Sequence, residues 1–175
     1  YQIVYCPDYW IPQTRKRLVL LASKLWNITL IEKTHDKNQY RTVQDVIWML
    51  PKLDAGITSK NDPLHKSIKL SEKNLKRIKA SRPNWTWLDW DEELRLDCHK
   101  KNTGNTYRSV YWRMAWNEPS PTITTQFYNF WTGRFGHPNQ DRALSIREGA
   151  LLQTFPKDYV FYKDPNSISI SKIGI

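Results

Sequence analysis

No apolar run in this chain exceeds five residues, and residues 18–22 form one of that length. A continuous apolar run of this length is typical of a β-strand that is buried on both faces. A membrane-spanning helix needs about 20 consecutive apolar residues, so we expect no membrane partner. The run therefore predicts that residues 1–26 form the edge of an α/β domain. A second short strand is expected over residues 28–31.

The chain is strongly basic. It carries 27 Lys+Arg against 17 Asp+Glu, a formal net charge of +10 over 175 residues. Such a charge attracts polyanions, and nucleic acid is the first candidate. The length suits one domain or one lobe of a larger enzyme, and 39% hydrophobic residues suffice for a packed core. Because Cys6 and Cys98 are the only cysteines, a disulfide framework is excluded and a reducing compartment is favoured.

Three helix starts can be predicted from capping residues. Thr42, Ser71 and Ser145 each carry a hydroxyl that can cap a helix N-terminus. Asp45 and Glu148 follow two of these caps at the spacing of a capping box. The sequence therefore predicts helices from residue 43 to about 50, over 72–80, and from 146 to a stop at the proline at 156. Residues 82–143 are predicted to be rich in loops and strands.

Aromatic and arginine side chains are interleaved through residues 82–143. This mixture is typical of nucleic-acid-binding surfaces, and equally of the core of a small irregular domain. Arg113, Gln126 and Arg134 are candidates for reading DNA base edges, since Arg and Gln can bind guanine and adenine through two hydrogen bonds. Candidates for phosphate contact share the second predicted helix, for which a solvated face is the alternative. They are Lys73, Lys76, Arg77 and Lys79.

The segment Gln13-x-Arg15-x-Arg17 is the most distinctive local pattern. In an extended backbone, side chains two residues apart lie on the same face. Two guanidinium groups and an amide would then form a planar donor array, suited to phosphate oxygens or base edges. The alternative is a cluster of surface salt bridges.

No metal site, nucleophile or cofactor motif is predicted. The four histidines, including His99 beside Cys98, lack the ligand spacing of a zinc site. Neither a G-x-G-x-x-G turn nor a P-loop is present. Cys6 precedes Pro7, and no neighbour in sequence would activate its thiolate, so a small buried side chain is the better interpretation.

Several segments resemble, in the correct order, sequence blocks of the DNA (cytosine-5) methyltransferases. YWIPQTRKRLVLLAS resembles the eighth of ten blocks, whose core is Gln-x-Arg-x-Arg. RALSIREGALLQTFPKDY resembles the ninth block, and SKIGI resembles the start of the tenth. The family places its variable target-recognition domain between the eighth and ninth blocks, and EPSPTITTQF is similar to the segment that closes that domain. The resemblance spans the whole chain and points to the C-terminal part of a bacterial enzyme.

The resemblance implies an architecture. Residues 1–26 would be the end of a catalytic α/β domain, at the edge of a Rossmann-like methyltransferase sheet. Residues 27–141 would form a small, irregular target-recognition domain, rich in loops and strands. Residues 142–175 would be a return helix and tail packed on the catalytic domain. The implied setting is a bacterial restriction–modification system, in the cytoplasm and associated with the nucleoid.

The resemblance also implies a chemistry. Such enzymes bind double-stranded DNA, rotate the target cytosine out of the helix, and transfer a methyl group to it from S-adenosyl-L-methionine. Arg17 would lie near the flipped cytosine, Arg15 would contact a phosphate or brace the site, and Gln13 would shape the loop. Ile173 and Gly174 would begin a cofactor-binding block.

Other parts of the family pattern are absent from this sequence. The glycine-rich cofactor loop, the Pro-Cys nucleophile segment and the Glu-Asn-Val segment all precede the eighth block, and none occurs here. Cys6 lies well past the place of the nucleophile. We therefore expect no methyl transfer by this polypeptide alone, and a catalytic half supplied in cis or as a second subunit. The alternatives are a stand-alone sequence-specific DNA-binding module and a decayed remnant that does not fold.

The chain has 9 Trp and only 6 Gly, an unusual balance. Six tryptophans occupy positions at which related sequences are expected to have glycine. They are Trp10, Trp26, Trp48, Trp85, Trp112 and Trp131. Some bacterial lineages read the codon UGA as glycine while other codes read it as tryptophan, so we hypothesise a UGA codon at each position. Divergence of the gene is the alternative, and UGG codons would exclude the hypothesis.

Overall fold

The regular elements of this chain are short and are joined by long irregular segments. The computed structural model describes residues 1–101, 103–104, 108–164 and 168. The strands are β1 (Gln2–Tyr5) and β2 (Lys16–Val19), and the helices are α1 (Val43–Ile47), α2 (Glu72–Ala80), α3 (Asp97–Lys100) and α4 (Ile146–Leu152). Turns of 3-10 helix occupy Cys6–Tyr9, Lys37–Gln39, Trp87–Asp89 and Glu92–Leu94. The fold is therefore mixed α and β, and none of its described helices has the length and apolarity to cross a membrane.

β1 and β2 pair antiparallel, with Gln2 opposite Val19. The prediction of a strand buried on both faces at residues 18–22 was wrong for this chain. β2 ends at Val19, and Leu18 and Leu20 are 65% and 73% exposed. A strand buried on both faces needs a packed layer on each side. The described residues leave these side chains uncovered.

All three predicted helix starts are confirmed. The hydroxyls of Thr42, Ser71 and Ser145 accept hydrogen bonds from the backbone N–H three residues further on. The carboxylates of Asp45 and Glu148 accept from the backbone N–H of Thr42 and Ser145, each at 2.7 Å, which completes both capping boxes. The first helix ends at residue 47 rather than near 50, because the chain passes into a tight turn before the proline at 51.

Of three buried apolar clusters, the two larger ones are the cores that hold the irregular segments together. One lies between α1 and α4, and the other packs beneath α2. Aromatic rings from residues 82–143 fill both cores, among them Trp87, Phe127 and Phe130, which are at most 1% exposed. Of the two interpretations offered for the aromatics of this region, core packing is therefore the one that applies to these rings.

Two further strand predictions were wrong. Residues 28–31 form no strand, and the described part of residues 82–143 contains only isolated bridges, such as the one between Arg113 and Gly136. Aromatic side chains favour strands mainly because they pack well on a half-buried surface. In this chain the same side chains are buried by irregular backbone, so their strand preference is overridden.

A buried polar network joins α4 to the loop that precedes it. Arg142 and Glu148 are 0% and 1% exposed and form a two-pronged ion pair with both N–O distances at 2.7 Å. The Nε2 atom of His137 lies 3.6 Å from the Glu148 carboxylate. The Nδ1 atom of His137 accepts the backbone N–H groups of Asn139 and Gln140. The network therefore fixes residues 137–148 as one unit.

Acid is expected to destabilise the chain through His137. Burial lowers the pKa of His137 to about 3, although the charge of Glu148 opposes the shift. An unfolded histidine titrates near 6.5, so below that pH the unfolded chain binds a proton that the folded chain does not. The free energy of unfolding should therefore decrease as the pH falls from about 6.5 towards 3. Urea titrations across this pH range measure the decrease. If a His137→Gln variant showed the same pH dependence as the unmodified chain, His137 would not be the cause of the decrease.

The six tryptophans at proposed glycine positions are exposed or half-buried, whereas Trp87 and Trp90 are buried. Of the six, only Trp10 has a positive φ, at 64°, where it ends the 3-10 turn Cys6–Tyr9 in the left-handed region. Glycine adopts this region at no steric cost, and an indole-bearing residue does not. The backbone therefore favours glycine at Trp10, and the codon hypothesis stays a prediction at the other five positions.

Replacement of Trp10 by glycine is expected to stabilise the chain by about 0.5–1 kcal/mol. The gain comes from relief of the left-handed backbone, which costs a non-glycine residue roughly 1–2 kcal/mol. Loss of the stacking of Trp10 on His35, at 4.6 Å between ring centroids, offsets part of it. Urea denaturation measures the change. Trp131→Gly is the matched control, since Trp131 is partly exposed without a positive φ, and equal stabilisation by both variants would contradict the assignment.

Candidate nucleic-acid interface

The Gln-x-Arg-x-Arg segment is paired with a segment more than 100 residues away in sequence. The Thr14 N–H donates to the Ser120 carbonyl at 2.8 Å, and the Ser120 N–H donates to the Pro12 carbonyl at 2.9 Å. Three hydroxyls add to the pairing: Thr14 donates to the Ser120 carbonyl at 3.1 Å, Ser120 donates to the Pro12 carbonyl at 2.9 Å, and Thr122 donates to the Thr14 carbonyl at 3.2 Å. The sequence analysis missed this pairing, for which the order of the two segments was the only signal.

The three polar side chains of this segment do not share one strand face. The Arg15 N–H donates to the Gln13 carbonyl at 2.7 Å, so the backbone turns at Thr14, and β2 begins only at Lys16. Gln13 is buried, Arg15 is half-buried and Arg17 is exposed. The prediction of a planar donor array was therefore wrong, because a local backbone hydrogen bond replaces the extended geometry. Arg17 presents its guanidinium most openly to solvent.

Cys6 lies beside these arginines without being activated by them. Burial raises the pKa of the Cys6 thiol, and the charges of Arg15 and Arg17 offset only part of this effect. A nucleophilic cysteine needs a lowered pKa, so that the thiolate is present at neutral pH. The environment of Cys6 therefore does not favour a role as the nucleophile.

A buried carboxylate that the sequence analysis missed holds the next segment in place. The Asp8 carboxylate is buried, accepts a hydrogen bond from the Tyr40 hydroxyl at 2.5 Å and pairs with Lys33 at 2.8 Å. The hydrogen bonds from Lys33 and Tyr40 lower the pKa of Asp8. The hydrogen bond between Tyr40 and Asp8 also raises the pKa of Tyr40 to about 12. The Asp8 carbonyl also accepts the backbone N–H groups of Thr34 and His35. Asp8 thereby anchors residues 33–40.

Arg113 does not present its side chain for groove contact. It is 4% exposed, and its Nη1 atom donates to the carbonyls of His137 and Gln140 at 3.0 and 3.1 Å. Its Nη2 atom donates to the Ile78 carbonyl. The same atom also donates to the Asp141 carboxylate, at 2.7 Å. The candidate role in base reading is therefore corrected to an internal brace, because its terminal nitrogens are already bonded within the chain.

Arg77 is also not a free surface cation. It is 8% exposed, and it donates to the Leu94 carbonyl at 2.8 Å and to the Asn74 side chain at 2.9 Å. Its guanidinium lies 5.8 Å from the Trp90 ring and 5.6 Å from the Tyr111 ring. The other three members of the α2 group are exposed. They are Lys73, Lys76 and Lys79.

The remaining candidates differ in how much the structure says about them. Gln126 is exposed and has a φ of 69°, and Arg134 is half-buried with its guanidinium 5.4 Å from the Trp112 ring. Ile173 and Gly174 lie outside the described residues. Among the residues that are described, no cluster of three or more His, Cys, Asp or Glu side chains could hold a metal ion.

Comparison with known families covers nearly the whole chain. Residues 1–174 match the family described as C-5 cytosine-specific DNA methylase. The chain belongs to this family. The matched region contains the Gln-x-Arg-x-Arg segment, its partner segment at 120–122 and the capped helix α4. Both paired segments therefore lie within the part of the chain that matches this family.

Three of the relatives of this chain are type II methylases or methyltransferases of bacteria. It is 52% identical over 161 residues to the type II methylase M.HgiDII of Herpetosiphon aurantiacus, covering 92% of this chain and 46% of the relative. It is 31% identical over 163 residues to M1.HphI of Haemophilus parahaemolyticus, covering 91% and 39%. For M.Eco47II of Escherichia coli the identity is 28% over 170 residues, covering 95% and 39%. The chain thus spans less than half the length of these relatives.

Proposed function

We propose that this chain is the C-terminal, target-recognition part of a DNA (cytosine-5) methyltransferase. It binds duplex DNA, recognises the target sequence and helps to hold the flipped cytosine while a methyl group arrives from S-adenosyl-L-methionine. The observation that carries the proposal is the pairing of residues 12–14 with residues 120–122. This pairing joins the catalytic edge to the segment that closes the recognition region.

Each member of the Gln-x-Arg-x-Arg segment receives a role that suits its burial. Arg17, which is exposed, contacts the flipped cytosine. Arg15, which is half-buried, braces the site or meets a backbone phosphate, and buried Gln13 holds the loop in shape. A guanidinium suits both tasks because it donates in a planar fork to carbonyl or phosphate oxygens. Arg134 and Gln126 stay the candidates for groove contact.

The uncovered apolar side chains around β2 support a missing catalytic half. Ile3, Leu18, Leu20 and Leu25 are each more than 60% exposed. Contiguous exposed apolar surface marks an interaction site. We assign residues 1–26 to the edge of a Rossmann-like sheet whose other strands lie in that half. Residues 27–141 are then the recognition domain, and residues 142–175 pack back onto the catalytic part.

The described glycines do not form a cofactor cradle of their own. At each of them, the space that a Cβ would occupy adjoins the chain's own atoms, and a Cβ added at Gly149 in α4 would lie 2.2 Å from the Phe127 ring. No such glycine leaves room for a nucleotide-like ligand against its backbone. We therefore assign S-adenosyl-L-methionine and the nucleophilic cysteine to the catalytic half, supplied in cis or as a second subunit.

Complementation tests this proposal. The chain is mixed with the part of M.HgiDII that it does not cover, and tritium transfer from S-adenosyl-L-methionine to duplex DNA is measured. We expect no transfer by either part alone and restored transfer by the mixture. Arg17→Gln should reduce the restored rate far more than Lys16→Gln, its exposed neighbour. Robust transfer by the chain alone would overturn the proposed division of labour, and duplex binding without complementation would favour a stand-alone DNA-binding module.

A further inference from the structure

We infer that a groove between α2 and residues 93–100 is the seat of DNA backbone phosphates, an inference that rests on the proposed function. The groove has a volume of about 420 Å³. Five cationic side chains line it, from two separate elements of the chain. They are Lys73, Lys76 and Arg77 on α2, with Arg95 and Lys100 opposite. Sequence spacing predicted only the α2 members of this set.

Arg77 is the most buried of the cationic side chains that line the groove. Its Nε atom is held by the Leu94 carbonyl and its Nη1 atom by Asn74, at 2.8 and 2.9 Å. The Nη2 atom bonds to no described residue, although the side chain is more than nine-tenths buried and lines the groove. A guanidinium that is already oriented loses little entropy when it binds, and its planar fork matches phosphate oxygens.

The charge of the lining favours a polyanion. Glu93 and Asp97 also line the groove, so its seven ionisable side chains carry a net charge of +3. Lys73, Lys76 and Lys100 are exposed around the buried Arg77. Lys100 also lies 3.9 Å from the Glu92 carboxylate, while Lys73 and Lys76 have no ion pair within the described residues. Exposed lysines around one oriented guanidinium suit consecutive phosphates of a duplex, since each lysine that pairs with a phosphate releases counterions. The phosphate-binding surface therefore includes residues beyond α2.

One lysine of α2, Lys79, does not line this groove. It lines a different cavity, to which Asp54 and Asp141 also contribute. Lys79 is therefore not part of the proposed phosphate-binding groove, although its charge alone would suggest that it is. Lys79 is exposed like Lys73 and Lys76, which makes it a matched control on the same helix.

The salt dependence of duplex binding tests the inference. Fluorescence anisotropy with the full chain gives the slope of log affinity against log salt. Replacing Lys73, Lys76 and Lys100 together by Gln should reduce the magnitude of the slope by about 2.7, or about 0.9 for each lost phosphate contact. The loss should be the same for all duplex sequences. Lys79→Gln should leave the slope unchanged, and Glu93→Gln should tighten binding.

The outcomes separate this inference from the proposed function. An unchanged slope in the triple variant, with normal duplex binding by the unmodified chain, overturns the groove alone. Absence of duplex binding by the unmodified chain overturns both. If inorganic phosphate raises the melting temperature of the unmodified chain but not of the triple variant, while the slope is unchanged, the groove binds small anions and the duplex assignment is wrong. Circular dichroism confirms that the variants are folded.

Discussion

Glu148→Gln is expected to lower the free energy of unfolding by about 3–5 kcal/mol, the cost of breaking a buried ion pair by removing one partner. Arg142 would keep its charge in the interior without the carboxylate that now binds it through two contacts of 2.7 Å. The same carboxylate accepts the Ser145 N–H at 2.7 Å, so the cap of α4 would be weakened as well. Urea denaturation followed by circular dichroism measures the loss.

A double variant provides the control for this prediction. Arg142→Met combined with Glu148→Leu removes both charges and should cost less than Glu148→Gln alone, because no unpaired charge is left inside. The pH dependence is a second readout. Burial alone would raise the pKa of Glu148, but its hydrogen bonds from Arg142 outweigh burial and lower the pKa to about 2. The pair's stabilisation is therefore lost as the pH falls from about 4.3 towards 2. A loss below about 1 kcal/mol in Glu148→Gln would contradict the role assigned to the pair.

Arg113→Met is expected to destabilise the chain by about 2–4 kcal/mol, since each buried acceptor left without a donor costs about 1–3 kcal/mol. Arg113 donates to three backbone carbonyls, those of Ile78, His137 and Gln140, and pairs with Asp141. Methionine fills a similar volume without donating to any of them. The brace between α2 and residues 137–141 would therefore be lost.

Arg134→Met is the matched control for the Arg113 variant. Arg134 is half-buried, with its guanidinium over the Trp112 ring, so its replacement should change stability by no more than about 1 kcal/mol. Thermal and urea denaturation of both variants make the comparison. If Arg113→Met kept its stability but lost preference for one duplex sequence, Arg113 would be a base-reading residue and the correction made from its burial would be wrong.

The helix starts could be predicted because their causes are local. Each capping hydroxyl bonds to a backbone N–H three residues away, so Thr42 or Ser145 carries the whole signal within one turn. The strands could not be predicted equally well. The run at 18–22 has the composition of a buried strand, yet the layers that would bury it do not come from the described part of the chain.

Four arginines show why the site could not be predicted in full from the sequence. They are the same residue type, yet Arg17 is exposed, whereas three others are buried with different partners. The buried three are Arg77, Arg113 and Arg142. The partners of the three buried arginines lie between 1 and 89 residues away in sequence, among them Ile78 for Arg113 and both Leu53 and Glu148 for Arg142. The spacing of residues along the sequence does not distinguish an arginine that braces the fold from one that is free to bind DNA. The predicted site residues therefore included arginines of both kinds.

The order of the family segments, the positive charge and the capped helix ends follow from the sequence alone. Composition and contacts within one helical turn are enough to establish these features. The sequence did not show the joining of residues 12–14 to residues 120–122, nor which cations are exposed and which are buried. Both depend on contacts between residues more than 100 positions apart and on burial, which exist only once the two cores have formed. Tertiary packing alone therefore decided the surface that this chain presents.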